Sequence, residues 1–540
     1  MLASAAMSGT DAAPARWWQQ GIVYQIYPWS FMDANGDGIG DLAGIRCRLE
    51  YLQWLGVDAI WISPIFPSPM ADFGYDVSNY TDVDPRFGTL ADFDALVSDA
   101  HARGLRVILD FVPNHTSDQH PWFQQARRDR EDPKRDWYIW HDPAPDGGPP
   151  TNWLSEFGGP AWEWEPQTRQ YYYHAYLKQQ PDLNWRNPQV QSALYDVMRF
   201  WLDRGVDGFR IDTVHHLYKD AEFRDNPPNP DFSAGMPPHR RLIRRFTTDQ
   251  PEVHEAIAGM RRVLDAYPDR VLIGEAWLPF DRLATYYGVD LAGLHLPFNF
   301  HLILARWEAA ALATLAREYE ASLPGGAWPN WVLGNHDRSR IATRVGASQA
   351  RVAAMLLLTL RGTPTLYYGD EIGMLDVQIP ADRVRDPWEK NVPGIGVGRD
   401  PERTPMQWSS EPHAGFTSGE PWLPIPPDFQ ARNVEVQRAD PNSMLSLYRD
   451  LIALRRREPA LAIGDYEALE VGPNVYGYAR AYGGRRLGVF LNLTSSARQL
   501  VGLNTGAPPR VLLSTHRARS ADVLSPDGVL AADEGVIVEL

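Results

Sequence analysis

Eight short, β-rich apolar runs separated by longer polar or helix-patterned stretches constrain this chain more than any other feature. They fall at residues 23–27, 59–62, 107–111, 208–211, 271–274, 294–298, 331–333 and 365–368. Between several of them the apolar spacing turns helical. Leu90, Phe93, Leu96, Val97 and Ala100 mark one face of a helix over 90–103, and a second helix over 191–204 leads into the run at 208. Strands alternating with helices make parallel βα units, and eight such units can close into a barrel. Periodicity alone does not separate a closed barrel from an open sheet. Two regions break the rhythm. Residues 116–184 are rich in Trp, Tyr, Pro and Gly and read as an insertion after the third strand. From about residue 460 to 540 the pattern becomes short alternating runs such as GVFLNL and GVIVEL, which read as a small antiparallel β domain.

Charge and cysteine content narrow the classes of partner. A formal net charge of −16 excludes the basic footprint of a nucleic-acid binder and disfavours anionic membrane surfaces and polyanions, leaving small neutral substrates open. Cys47 is the only cysteine, so no intrachain disulfide forms, and a reducing, cytoplasmic setting is expected. Residues 1–16 lack a basic start and a long apolar core, so they are expected to be a frayed terminus rather than a secretory signal. No run approaches the eighteen apolar residues of a membrane span. The 20 Trp, 23 Tyr and 19 Phe suit either a large core or a cleft that stacks on the apolar faces of sugar rings.

In a barrel of parallel strands, working residues gather at the C-terminal strand ends. The third run ends in DFVPNH with His115, the fourth in GFRID with Asp212, the fifth in IGEAW with Glu275, and the seventh in GNHD with His336 and Asp337. A lone carboxylate at a strand end is usually a cap or a surface charge. Three carboxylates and two histidines on one mouth suit acetal cleavage, which needs an acid for the leaving oxygen and a carboxylate on the opposite side. Arg210 lies two residues before Asp212, on the same strand face. Its charge is expected to hold Asp212 ionised as a nucleophile. Glu275 lies between Ile273 and Trp277, a less polar setting that is expected to raise its pKa and suit it to be the acid.

Taken together, DFVPNH, GFRID, IGEAW and GNHD resemble the characteristic motifs of the α-amylase family of glycoside hydrolases. QPDLN at 180–184 and GRDPERTPMQW at 398–408 resemble those of its α-glucosidase and oligo-1,6-glucosidase branch. The resemblance implies a (β/α)8 TIM barrel over 17–115 and 185–459. It also implies an inserted domain B over 116–184 and a C-terminal β-sandwich domain over 460–540. It implies a retaining double displacement with Asp212 as nucleophile, Glu275 as acid/base, and Asp337 gripping the 2- and 3-hydroxyls. His115, Arg210 and His336 would surround the glucosyl unit. By the same resemblance, Tyr75 of DFGYD would stack on the glucose ring, and Asp72 and Arg403 would clasp its 4-hydroxyl end, making a pocket for single glucose units. The alternative for Arg403 is a loop arginine paired with Glu402 or Asp400.

DANGDGIGD, residues 33–41, carries alternate oxygen-bearing residues on a Gly-rich loop. It is not an EF-hand, because the twelfth position is Gly44 where a bidentate Glu is required. It resembles the family's divalent-ion loop, which implies one structural Ca2+ or Mg2+ on Asp33, Asn35, Asp37, the Ile39 carbonyl and Asp41. No organic cofactor is expected. A metal-free, Asx-rich turn is the alternative. GIGVG at 394–398 lacks a preceding strand and reads as a loop near the pocket, not a nucleotide loop.

In the resembled branch, Val after the nucleophile goes with α-1,6 cleavage, and Ala or Thr with α-1,4. Here the residue is Thr213, which favours maltose-like α-1,4 substrates. His215 and His216 depart from the Asn-containing version and leave acceptor preference open. The expected partners are small neutral α-glucosides and hydroxyl acceptors, with the chain a monomer or homodimer, and transglucosylation is expected beside hydrolysis. An oligo-1,6-glucosidase, or a trehalose- or sucrose-directed isomerase or transferase, would keep the same catalytic set. A non-catalytic transporter subunit or sugar binder has no use for the intact carboxylates.

Overall fold

The computed structural model describes residues 15–502, 508–519, 523–524 and 528–540. The frayed start expected over 1–16 lies, up to residue 14, outside the described residues, as do parts of the expected C-terminal domain.

The eight runs form parallel strands at Val23–Ile26, Ala59–Ile62, Arg106–Phe111, Gly208–Ile211, Val271–Glu275, Leu296–Phe298, Asn330–Val332 and Thr363–Tyr367. They pair in chain order around a nearly closed barrel: seventh, eighth, first, second and so on to the sixth. Val23 sits beside Ala59, Ala59 beside Arg106, and Ile108 beside Gly208. The sixth and seventh strands share no ladder. Asn330 spans that seam, accepting from the Asn299 N–H at 3.0 Å and donating to the Pro297 carbonyl. The sixth strand starts two residues later than its apolar run, because the Leu294 N–H is bonded to the Tyr286 carbonyl at 2.9 Å.

The strands are buried on both faces, so alternation sorts two apolar sets instead of apolar from polar. Val23, Trp61, Ile108, Val271, Ile273 and Val332 fill the barrel interior. Tyr24, Ile60, Val107, Leu109 and Leu272 point outward and pack with the helices. Gly208 faces inward, where an added Cβ would lie 2.3 Å from the Val271 carbonyl oxygen, so only glycine fits. The helix Leu90–Ala102 opens with a capping box between Thr89 and Asp92. The helix Pro188–Asp203 starts on an Asn187 cap with Pro188 in its first turn, and buries Val190, Leu194, Val197, Met198, Trp201 and Leu202.

After the third strand, a three-stranded antiparallel sheet is built from Trp140–His141, Gln170–Tyr173 and Trp162–Glu165. Trp153, Trp162 and Tyr173 pack there as a separate apolar cluster, so most of the aromatic richness of this region is core. Phe157 is an exception and lines the main cavity. The C-terminal region holds a five-stranded antiparallel sheet between Asp465–Leu469 and Gly535–Glu539. It is fastened to the barrel helix Ala347–Thr359. Tyr478 and Thr359 share a hydroxyl contact of 2.6 Å, and Arg351 donates to the Thr515 carbonyl at 2.9 Å. Among the described residues no helix is long and apolar enough to cross a membrane, and Cys47 is exposed.

Candidate active site

The inward face that carries apolar side chains low in the barrel turns polar at the C-terminal strand ends. Asp110 follows Ile108 by two residues, Arg210 follows Gly208 by two, and Glu275 follows Ile273 by two. Period-2 alternation therefore delivers all three to the top of one interior. Asp212 continues the fourth strand, its N–H bonded to the Phe111 carbonyl at 2.8 Å. Thr213 then turns the chain with φ of 39°, a left-handed value that is strained for a residue with a Cβ. The turn aims the Thr213 N–H at Glu275 (3.3 Å) and its hydroxyl at Asp212 (3.2 Å).

These groups open into a cavity of about 850 Å³. Asp212, Thr213, Glu275, His336, Asp337, Asp72, Tyr75 and His115 all line it. Arg210 and Arg403 lie behind its wall, fully buried. The GIGVG loop contributes Ile395, Gly396, Val397 and Gly398 to the lining.

Arg210 is not the private partner of Asp212 that the strand pattern suggests. Its guanidinium donates to Asp212 at 2.8 Å, to Asp110 at 2.9 and 3.1 Å, and to Glu275. One positive charge thus serves three buried carboxyls. Burial raises the Asp212 carboxyl well above its ordinary range, with Glu275, Asp110 and Asp337 adding to the rise and Arg210 opposing it. Asp110 is likewise pushed up by burial, to about 6. Arg210 favours the ionised form of Asp212, as expected, while burial and the neighbouring carboxyls oppose it. Asp212 and Asp110 are thus coupled through the one guanidinium they share.

The apolar setting expected for Glu275 is also absent. Its carboxylate accepts from Arg210, from the Thr213 N–H and from the Trp277 indole N–H at 2.8 Å. Trp277 is a hydrogen-bond donor here, not an apolar wall.

Asp337 sits among cations. It accepts from Arg403 at 2.8 Å and Arg399 at 3.3 Å. Burial alone would raise its carboxyl, but His336 at the acid pH where it is charged, together with Arg399, Arg403 and Arg210, outweighs burial and holds it far below the usual carboxylate range. His336 receives a hydrogen bond on Nδ1 from Gln25 (2.7 Å), which leaves the proton on Nε2, 2.7 Å from the Tyr75 hydroxyl. Tyr75 in turn donates to Asp110 at 3.1 Å and stacks on the His336 ring at 5.4 Å. Burial drives His336 well below its ordinary pKa, and His115 down to about 4, so both are neutral at pH 7.

The clasp at the inner end uses a different arginine from the expected one. Asp72 pairs with Arg399 at 2.7 Å, and Arg399 also binds Asp386 at 2.6 Å. Arg403 turns away from Asp72, toward Asp337 and the His336 carbonyl (2.6 Å); it pairs with neither Glu402 nor Asp400. Gln180 of the QPDLN stretch adds a third group, donating to Asp72 at 3.2 Å and lying 3.1 Å from His115. Asp110, Arg399 and Gln180 all lie inside stretches read from the sequence but were not singled out as site residues. The inward period from Ile108 was a signal for Asp110. Nothing local distinguishes Arg399 from Arg403.

The loop 33–41 lies away from this cavity, packed on residues 416–420; the Asp33 N–H bonds the Phe416 carbonyl, and Asp33 accepts from Thr417 at 2.5 Å. Asp33 accepts backbone N–H groups from Asn35, Gly36 and Gly38, Asp37 from Ile39, and Asp41 from Ala34 and Gly44. Among the described residues, no three His, Cys, Asp or Glu side chains gather as a metal cluster. The donor chemistry, all oxygen, fits a hard cation, while the backbone bonds also shape the loop.

The chain is similar to known proteins over most of its length. The alpha amylase catalytic-domain family model matches residues 25–464. A probable alpha-glucosidase of Rhizobium meliloti (strain 1021) is 43% identical over 89% of this chain and 90% of its own. An oligo-1,6-glucosidase of Parageobacillus thermoglucosidasius is 38% identical over 88% and 90%. The crystal structure of an alpha-glucosyl transfer enzyme superposes with a TM-score of 0.92 at 42% identity, covering 97% of this chain and 99% of that one. With an eight-stranded parallel barrel, an antiparallel C-terminal sheet and the carboxylates at the barrel mouth, the chain is an enzyme of the alpha-amylase family of glycoside hydrolases, in its α-glucosidase and oligo-1,6-glucosidase branch.

Proposed function

We propose that the protein is a retaining, exo-acting α-glucosidase that releases glucose from the non-reducing end of short α-1,4-glucosides such as maltose. One observation carries this reading. Asp212 and Glu275 share the guanidinium of Arg210 in a cavity whose inner end is stopped by the Asp72–Arg399 pair. A stopped end admits one glucosyl unit. Carboxyls bridged by a single guanidinium suit double displacement, in which the pair stands about 5–5.5 Å apart.

In the first half-reaction an Asp212 oxygen attacks the anomeric carbon while Glu275 gives its proton to the glycosidic oxygen, and the leaving sugar departs. In the second, Glu275 takes a proton from water or an acceptor hydroxyl, whose oxygen displaces Asp212. Water yields hydrolysis and an acceptor yields transglucosylation. Glu275 delivers its proton as the glycosidic oxygen departs, and Asp212 attacks as the carboxylate that Arg210 pairs with. Asp337, kept ionised by its cationic neighbours, grips the 2- and 3-hydroxyls and steadies the cationic ring. Neutral His115 and His336 bind hydroxyls without placing a positive charge beside that ring.

Linkage rests on Thr213, whose hydroxyl lies at the Asp212 carboxylate where the leaving sugar must pass. Initial glucose release from maltose is expected to exceed that from isomaltose by about tenfold, the usual scale for a small steric change in a pocket. Faster release from isomaltose would overturn the linkage and keep the mechanism. No release from either would remove the α-glucosidase reading.

The loop 33–41 is proposed to take one structural Ca2+ or Mg2+ through Asp33, Asn35, Asp37, the Ile39 carbonyl and Asp41, bracing the segment 416–420. Binding to the folded state alone stabilises by about 2.7 kcal/mol at a hundredfold excess over Kd. Chelation is therefore expected to lower the thermal midpoint, and added Ca2+ or Mg2+ to restore it. Elemental analysis finding no divalent ion, with an unchanged midpoint, would exclude the site.

A further inference from the structure

The cavity has a floor and a mouth. Asp72, Tyr75 and Arg399 at the floor are buried, whereas Arg240 and Leu304 in the same lining are exposed and mark its mouth. Glu275 must face the leaving oxygen, so the groups between it and the mouth meet the leaving sugar. Two guanidiniums stand there. Arg338 lies 4.8 Å over the ring of Trp277, whose N–H is bonded to Glu275. Stacking fixes its position without using its donors, and its Nε has no partner. Besides burial, Arg240 feels the charges of Arg244, of Glu156, which opposes them, and of Arg338. Among the described residues, neither side chain has a hydrogen-bond or ion-pair partner.

Three acids of the same lining are committed elsewhere. Glu156 pairs with Arg244 at 2.5 Å and with His239 at 3.2 Å. Glu389 accepts the Gly394 and Gly398 N–H groups at 3.2 and 3.1 Å. Asp376 accepts from the Ser339 hydroxyl and the Arg340 N–H at 2.5 and 2.8 Å. Two like charges facing one space with free donors are best reconciled by an anion between them, because guanidiniums bind phosphate and carboxylate oxygens through paired N–H groups.

We propose that the mouth of the cavity, between Arg240 and Arg338, binds a phosphoryl or carboxyl group carried by the leaving or acceptor sugar. The inference rests on the α-glucosidase reading for its placement and extends the substrate class from neutral glucosides to those with an anionic leaving sugar.

Calorimetric titration of the full chain with glucose, glucose 6-phosphate and glucuronate at fixed ionic strength tests it. Glucose 6-phosphate is expected to bind about tenfold more tightly than glucose, the yield of one charge-assisted hydrogen bond. That gain is expected to vanish in Arg240→Ala and to return in part in Arg240→Lys. A matching gain for glucuronate would assign the site to anions in general, and a gain for the phosphate alone to phosphoryl groups. Equal binding of glucose and glucose 6-phosphate overturns the proposal. So does a gain that survives both Arg240→Ala and Arg338→Ala. Glucose release from maltose, measured in parallel, reads the α-glucosidase reading separately, because the titration needs no turnover.

Discussion

Asp212→Asn is expected to reduce glucose release from maltose on the order of 10⁴-fold, the scale seen when a group of a covalent catalytic set is removed. The neutral amide cannot form the glucosyl ester, so no later step can compensate. The fold is expected to survive. Asp212, Asp110 and Glu275 share Arg210, and removing one negative charge from three buried carboxyls relieves repulsion. The variant is therefore expected to bind maltose while failing to turn it over. Initial rates together with a binding titration check this. Retention of more than about a tenth of the wild-type rate would sink the nucleophile assignment, since a true nucleophile leaves only the contributions of binding and electrostatics.

Arg399→Ala is expected to damage stability and affinity together. Arg399 is buried and binds Asp386, Asp72 and Asp337, with Asp386 and Asp72 themselves almost fully buried. Removing one partner of a buried ion pair costs about 3–5 kcal/mol, because the other charge stays behind without water. The pH dependence has a definite sign. Burial raises the Asp386 carboxyl, but Arg399 outweighs it and holds Asp386 below its ordinary value. A depressed carboxyl contributes stability that is present above its unfolded pKa, about 3.9, and is lost as pH falls through the folded value. In the variant that contribution is gone and Asp386 can protonate instead. The deficit in the urea midpoint should be large at pH 7 and shrink as pH falls below about 4. A deficit independent of pH would show that packing, not charge, is what Arg399 supplies. The Asp72–Arg399 pair also stops the pocket, so KM for maltose should rise more than kcat falls.

The order of the strands, the insertion, the C-terminal β domain and the strand-end carboxylates were legible in the chain. Each depends on a local period or a contiguous motif, and these survive tertiary packing. Strand limits moved by one or two residues where a loop hydrogen bond competed with the ladder, as at Leu294. The site was less legible where one group serves several others. Arg210 and Asp212 are two residues apart, which suggests a private pair, yet Asp110 and Glu275 reach the same guanidinium from neighbouring strands. Glu275 next to Ile273 and Trp277 reads as apolar, but the indole points its N–H at the carboxylate.

By itself, then, the sequence determined the βα alternation, the inward positions at which Asp110, Arg210 and Glu275 stand, and the motifs that carry the family. Tertiary structure alone decided the partners. Arg399 and Arg403 are four residues apart on an irregular segment, and no period orders such a stretch. Which of them meets Asp72, more than three hundred residues away in the chain, depends on how that segment closes over the barrel mouth. The upward push on Asp212 and Asp110 was decided there too, because burial and shared charge are properties of the assembled site and not of any one stretch.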